Sequence, residues 1–133
     1  MFCQPHKTPD QMRYKQLPAE FYVNNRKRFA ERLKPNSIAV FVSNEILPKN
    51  GDNSYSFRQN SDFFYLTGVD QEDAVLILFP DCPDDGVSST AVNAKEILFL
   101  KETDEHIARW EGEKLTKEQA RAQTGIDRVE WLP

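Results

Sequence analysis

The sequence predicts an α/β domain in which a mixed β-sheet is flanked by helices. Apolar runs rich in β-branched residues, which are typical of strands, occur at 37–43, 73–79 and 95–101. Segments with helical spacing or helix caps lie before, between and after these runs. The length of 133 residues is close to the commonest size of a single domain, so we expect one hydrophobic core.

Composition and charge exclude several classes of protein. Lys and Arg total 17 against 21 for Asp and Glu, which gives a net charge of −4 without the basic block typical of nucleic-acid binders. No apolar run approaches the ~20 residues of a membrane-spanning helix, and no signal-peptide pattern is present. Cys3 and Cys82 are too far apart in sequence to suggest a disulfide framework or a zinc site. We therefore expect a cytoplasmic protein with neither nucleic acid nor membrane as a partner.

The N-terminal part divides into an extension and a helix. Residues 1–17 are polar and aperiodic, which predicts a poorly ordered extension. From Pro18 an amphipathic helix is predicted to run until just before Pro35. Its apolar positions recur at roughly helical spacing: Phe21, Tyr22, Phe29 and Leu33. Asn25 interrupts this apolar stripe, and Arg26 is assigned with its basic neighbours to a solvent-facing surface.

The first strand is predicted at 37–43, where Ser-Ile-Ala-Val-Phe-Val-Ser is typical of a strand buried on both faces. Residues 44–56 follow with several turn-forming residues and form a predicted loop. Within this loop, the pair Asn50-Gly51 is a candidate hairpin turn.

A short helix is predicted over residues 62–67. Ser61 is the expected N-cap, and Gly68 suits a left-handed C-terminal position. The aromatic and β-branched residues at 63–67 would equally suit a strand, so both structures remain open at this point.

Strands at 73–79 and 95–101 are predicted to pair as a hairpin with a long connection. The connection carries a small acidic cluster that lacks the alternating ligands and terminal Glu of an EF-hand loop: Asp81, Asp84 and Asp85. We interpret the cluster as a solvated loop rather than a calcium site.

Two helices and a strand complete the predicted fold. The first helix spans residues 104–111, and Thr116 with Gln119 forms a capping box for a second helix that ends at Gly125. A last strand is predicted at 126–132.

Catalytic motifs are missing from this sequence. It contains no glycine-rich phosphate loop, no Walker motif and no nucleophile elbow. The two histidines, His6 and His106, lie far apart in sequence, unlike the closely spaced ligands of common metal sites. We therefore expect neither catalytic residues nor metal ligands in this chain.

Polar side chains that could have a functional role are concentrated in residues 57–68. Composition allows a structural role, in which Ser61 and Asp62 cap a turn and Arg58 pairs with a carboxylate. It also allows a ligand-contacting loop in which Arg58 reads an anionic group.

Trp110 is a second candidate site residue. It stands in a charged segment that ends at Gly112, so the ring is either exposed to a partner or packed over one face of the sheet.

A family resemblance begins at these residues. Residues 57–68, which read Phe-Arg-Gln-Asn-Ser-Asp-Phe-Phe-Tyr-Leu-Thr-Gly, and the apolar run that follows resemble the aminopeptidase P N-terminal domain of Xaa-Pro aminopeptidases. The resemblance extends to Trp110-Glu111-Gly112 on one side and to residues 24–29 on the other. It covers about residues 18–132, and residues 18–133 are accordingly expected to be that domain.

The resemblance implies a ribonuclease H-like topology and a parent protein with two domains. In this family a pita-bread domain follows, where two aspartates, a histidine and two glutamates bind a pair of divalent metals, usually manganese. None of these ligands has a counterpart here, and the family sequence would continue beyond Pro133. We therefore expect a chain that is inactive by itself, with no cofactor of its own.

The resemblance also implies partners and site residues. The N-terminal domain contributes to subunit association and to one wall of the substrate cleft, where Trp110 is the expected wall residue. Arg58, Asn60, Ser61 and Asp62 match the family motif and are expected to brace the interface between the domains. The implied partners are the protein's own catalytic domain, neighbouring subunits of a homo-oligomer and proline-containing peptides.

Two alternatives share this architecture. One is an Xaa-Pro dipeptidase, and the other is a pita-bread protein without catalytic metals that binds peptides, such as the large subunit of the FACT histone chaperone.

Overall fold

The computed structural model describes residues 16–82 and 95–133. Its helices are Ala19–Ala30 (α1), Ser61–Thr67 (α2), Glu105–Glu111 (α3) and Lys117–Thr124 (α4). Its strands are Ala39–Val42 (β1), Pro48–Asn50 (β2), Asn53–Ser54 (β3), Ala74–Leu78 (β4), Glu96–Leu100 (β5) and Val129–Trp131 (β6). The predicted α/β class with a mixed sheet is confirmed.

Four strands form the main sheet in the order β1-β4-β5-β6. β4 is antiparallel to both neighbours, so the predicted hairpin of β4 and β5 is confirmed, whereas β6 runs parallel to β5. The strands β2 and β3 form a separate small hairpin. The core lies where helical side chains such as Phe63 and Ala120 meet one face of the sheet, which contributes Leu76 and Leu98.

The prediction that the first strand is buried on both faces is wrong. Ala39 and Phe41 pack against the core, but Val40 and Val42 are 57% and 61% exposed. The reason is that β1 is an edge strand of the sheet and, within the described residues, the helical core covers only the face that carries Ala39 and Phe41.

Helix α1 departs from the prediction in length and in its buried side. It ends at Ala30 rather than just before Pro35. Phe21 is 42% exposed, whereas Asn25 and Arg26 are buried at 0% and 1%. The assignment of Arg26 to the solvent surface is therefore wrong, because its side chain finds backbone acceptors inside the fold.

The helix alternative for residues 63–67 is confirmed, but its cap is not Ser61. The side chain of Asn60 accepts hydrogen bonds from the backbone N–H of Asp62 and Phe63, so Asn60 is the N-cap and Ser61 is the first helical residue. Gly68 adopts the predicted left-handed conformation with φ of 71°.

The capping box that Thr116 forms with Gln119 is confirmed, and Gly125 ends α4 with φ of 72°. Several predictions lie outside the described residues: most of the N-terminal extension at 1–17, Cys3, His6, Asp84 and Asp85.

Candidate functional site

Gln59 holds the polar segment that precedes α2. Its side-chain oxygen accepts the backbone N–H of Asn44 at 3.0 Å and that of Asn60 at 2.9 Å. Its side-chain nitrogen donates to the carbonyls of Val69 at 3.0 Å and Gln71 at 2.9 Å. Both donors and both acceptor positions of this buried amide are thus used, which fixes the path of three chain segments at once.

The same segment presents three polar side chains to solvent. Arg58, Ser61 and Asp62 are exposed, while Asn60 caps α2 beneath them. The predicted pairing of Arg58 with a carboxylate is not found among the residues that the structure describes. The backbone of this loop is therefore held from inside, and its charged groups face outward.

Trp110 lies in the last turn of α3 and is 68% exposed. Asp104 begins this helix by accepting the backbone N–H of Ile107 at 2.8 Å, and Gly112 ends it with φ of 87°. No residue of α3 is fully buried. The alternative in which Trp110 packs over a face of the sheet is therefore wrong.

Ion pairs link the end of α3 to the sheet. Lys101 lies 3.0 Å from Glu111 and 3.9 Å from Asp73. Lys114, which follows α3, pairs with Glu72, the neighbour of Asp73 in sequence. The hydrogen bond with Glu111 raises the pKa of Lys101, an effect that exceeds the lowering by partial burial. Burial raises the pKa of Glu72, but bonding to Lys114 and the positive charges of Lys114 and Lys101 outweigh it, so this pKa lies below its usual value.

Gln71 connects the two candidate regions. Its backbone carbonyl accepts from Gln59, and its side-chain oxygen accepts the backbone N–H of Leu115 at 3.1 Å, in the connection between α3 and α4. In the described part of the chain its side-chain nitrogen is buried without a hydrogen-bond partner. One residue therefore links the loop that carries Arg58 to the segment that follows Trp110.

Arg26 is a buried residue that contacts the C-terminal ends of two helices. Its guanidinium donates to the carbonyl of Leu66 at 2.8 Å, to the carbonyl of Thr124 at 2.7 Å and to the carboxylate of Glu96 at 3.1 Å. The C-terminal ends of α2 and α4 are thus joined to α1 through one side chain. Burial lowers the pKa of Arg26, and the charge of Glu96 opposes this effect.

Sequence reasoning missed three of these supporting residues. Gln59 lies within the motif that carries the family resemblance, so its position was a usable signal. Gln71 and Arg26 gave no such signal, because a glutamine in a polar loop and an arginine in a basic run normally face solvent.

The described residues contain neither a metal-ligand cluster nor a membrane-spanning helix. Across residues 16–82 and 95–133, no group of three or more His, Cys, Asp or Glu side chains is arranged to hold a metal ion. These residues therefore do not fit the metal pair that the resemblance implies for the parent protein. Over the same ranges no helix is long and apolar enough to cross a membrane.

Comparison with known proteins links these features to a family. Residues 22–133 match the family model described as "Aminopeptidase P, N-terminal domain". The Xaa-Pro aminopeptidase of Haemophilus influenzae is 32% identical over 111 residues, which cover 84% of this chain and 24% of that protein. The Xaa-Pro aminopeptidase of Escherichia coli is 27% identical over 114 residues, which cover 86% and 24%.

A solved structure shows the same arrangement. The aminopeptidase PepP of Pseudomonas aeruginosa superposes with a TM-score of 0.72 at 31% identity, over 86% of this chain and 24% of that one. The chain described above thus spans about a quarter of the length of the relatives it matches.

Proposed function

We propose, from the premise that this chain belongs to the aminopeptidase P N-terminal domain family, that it is the non-catalytic domain of an Xaa-Pro aminopeptidase. In this proposal the complete protein releases the N-terminal residue that precedes proline in a peptide. This chain contributes to subunit association and forms one wall of the substrate cleft. Relatives named Xaa-Pro aminopeptidase support the proposal.

The exposed ring of Trp110 is the observation that carries the cleft-wall role. A 68% exposed indole on a helix without a fully buried residue is available for a ligand rather than for the core. Aromatic side chains commonly line peptide-binding clefts, where a flat ring packs against apolar groups of the ligand. The ion pair between Lys101 and Glu111 connects the last turn of α3, which carries the ring, to the end of β5.

The loop that carries Arg58 is proposed to face the catalytic domain. Arg58, Ser61 and Asp62 are exposed while Gln59 and Asn60 hold the backbone, an arrangement that supports docking with little loss of conformational entropy. Interfaces between domains of one chain are often polar, as this loop is.

The divalent metal pair of the family, proposed to be manganese, would be held by residues outside this chain. Bound there, it would supply an activated water for attack on the peptide bond. The residues described above contribute positioning alone. A cytoplasmic location is part of the proposal and rests on composition.

Two experiments test the proposed role. In the first, the purified chain is supplied with manganese and is expected to hydrolyse no Xaa-Pro peptide, so activity in this chain would overturn the proposal. In the second, this chain replaces the matched quarter of the Escherichia coli relative, and the resulting chimera is expected to be active.

Trp110 is then tested within the chimera. The substitution Trp110→Ala is expected to lower kcat/KM toward Xaa-Pro peptides at least tenfold while metal content and thermal midpoint stay unchanged. Trp110→Phe should keep most of the activity. The control Tyr55→Ala removes another exposed aromatic ring, 56% exposed next to the β2-β3 hairpin, and should have no effect. An unchanged kcat/KM in Trp110→Ala would remove Trp110 from the cleft wall.

A further inference from the structure

Strand β1 is an edge of the main sheet whose outer side lacks a strand partner among the described residues. The backbone N–H of Ser43 donates to the carbonyl of Ala74 in β4 at 2.9 Å. In an antiparallel pair, alternate residues direct their backbone groups to the same neighbour. The backbone N–H and C=O groups of Ala39 and Phe41 therefore point toward β4, as those of Ser43 do. The N–H and C=O groups of the intervening residues, Ile38, Val40 and Val42, point to the open edge.

The side chains at this edge are also apolar and accessible. Ile38, Val40 and Val42 are 59%, 57% and 61% exposed, and residues 37–43 contain no charged residue and no proline. Natural sheets usually protect an edge with lysine, proline, a bulge or a covering segment. β1 shows no such protection in its own sequence.

The opposite edge of the same sheet provides a comparison. β6 carries Glu130 at its centre, and this carboxylate lies 3.4 Å from Lys117 and 3.9 Å from Arg128. Charges of this kind disfavour pairing with another strand. Within residues 16–82 and 95–133, the two outer strands of the sheet therefore differ in charge, and β1 is the uncharged one.

The geometry points to a second copy of this chain as the partner, with the two β1 strands paired antiparallel about a two-fold axis at Val40. This inference deepens the subunit association proposed above and rests on it. Val40 then lies opposite Val40 of the partner subunit, and Ile38 lies opposite Val42 of the partner subunit. The residues whose backbone groups point outward are the ones that this register pairs, which gives about six intersubunit hydrogen bonds.

Donor, acceptor and side-chain patterns all match under this symmetry. The apolar segment 38–42, which consists of β1 and the residue before it, is centred on Val40 and pairs with itself without placing charge against charge. The accessible side chains Ile38, Val40 and Val42 of both copies meet on one face and extend the half-buried row formed by Val75 and Ile77 of β4. The pairing therefore continues the sheet from one copy into the next.

The contact area sets the expected strength of this pairing. The pairing brings together only six apolar side chains, three from each copy, which are 57–61% exposed, so the area it buries is small. Stable interfaces bury about 1,200–2,000 Å². The chain alone is therefore expected to dimerise weakly and in a concentration-dependent manner.

Sedimentation of the purified chain between about 10 μM and 1 mM tests the pairing. The wild type should shift from monomer to dimer, and Val40→Lys should weaken dimerisation at least tenfold while the thermal midpoint stays unchanged. The control Leu47→Lys changes a residue that is 64% exposed on the β2-β3 hairpin and should dimerise as the wild type does.

Cross-linking tests the register in a background in which Cys3 and Cys82 are replaced by Ser. Val40→Cys should be joined to the same residue of the partner subunit by a short bifunctional thiol cross-linker, because directly opposed Cα atoms lie about 5.5 Å apart. Ile38→Cys alone should not, whereas a mixture of Ile38→Cys and Val42→Cys chains should.

Two results would overturn the inference in different ways. Dimerisation that survives Val40→Lys, or a cross-link at Ile38→Cys alone, would show that the two copies associate through another surface. Either result would leave the proposed function unaffected. A chain that stays monomeric at 1 mM would overturn the pairing, whereas the chimera's activity would still report separately on membership in a peptidase.

Discussion

The guanidinium of Arg26 donates a 2.7 Å hydrogen bond to the carbonyl of Thr124, the last residue of α4, although 98 positions separate the two in sequence. The same side chain reaches the carbonyl of Leu66 in the last turn of α2. The last carbonyls of a helix have no partner within it, so a buried helix end needs an external donor. Arg26 supplies that donor to two helices at once.

Replacing Arg26 with Met is therefore expected to lower the free energy of unfolding by about 3–5 kcal/mol. The loss arises because two buried carbonyls and the carboxylate of Glu96 are left without their donor. Urea denaturation measures the change. The matched control is Lys27→Met on the exposed side of α1, where a change within about 0.5 kcal/mol is expected. Equal effects of the two substitutions would contradict this role of Arg26.

Gln59→Glu is expected to destabilise the chain by about 3 kcal/mol. The change replaces the donor to the carbonyls of Val69 and Gln71 with a buried carboxylate oxygen, which repels them. Thermal and urea unfolding measure the loss. The neighbouring substitution Arg58→Gln lies on an exposed side chain and should leave stability within about 0.5 kcal/mol of the wild type. A tolerated Gln59→Glu would show that the loop is held by other contacts.

Glu72 is expected to contribute to acid denaturation. Its pKa in the folded chain lies below the usual value near 4.3, so the folded state favours the ionised carboxylate. The resulting stabilisation is present above the unfolded pKa and is lost as pH falls through the folded pKa. Unfolding free energies measured from pH 7 to 3 should therefore decline less steeply below about pH 5 in Glu72→Gln than in the wild type. Glu45→Gln, which also removes one carboxylate but from an exposed side chain, is the matched control.

Gly68→Ala is expected to cost more stability than Gly51→Ala. Both glycines have positive φ, 71° and 53°, which costs a residue with a Cβ about 1–2 kcal/mol. At Gly68 the added Cβ would also lie 2.4 Å from the ring of Tyr22, whereas at Gly51 no atom lies within 4 Å. This overlap adds about 1–3 kcal/mol. Equal thermal midpoints for the two variants would contradict the close packing of Tyr22 on Gly68.

Local signals explain which parts of the fold were predictable. The capping box of Thr116 with Gln119, the left-handed Gly68 and the pairing of β4 with β5 depend on residues close together in sequence or on simple periodicity. The cap of α2 shows the limit of such signals. Asn60 and Ser61 are both good N-caps, and the hydrogen bond from the Asn60 N–H to Gln59 helps to hold the chain where Asn60 caps the helix.

The candidate site was predictable to a similar extent. The motif located Arg58, Asn60, Ser61 and Asp62, and the local charge pattern drew attention to Trp110. Whether the indole is exposed or packed on the sheet depended on where α3 lies relative to β5, and no short-range pattern specifies that position. The structure answered this question with a 68% exposed ring.

The sequence by itself determined the class of fold, most of its helices and strands, and the family, because each follows from local pattern or from a contiguous motif. Only the tertiary structure decided which polar side chains are buried. Arg26 meets carbonyls 40 and 98 positions away, and Gln59 joins three chain segments. Burial of a polar group becomes favourable when acceptors from distant segments converge on it, and that convergence exists only after the helices have packed on the sheet.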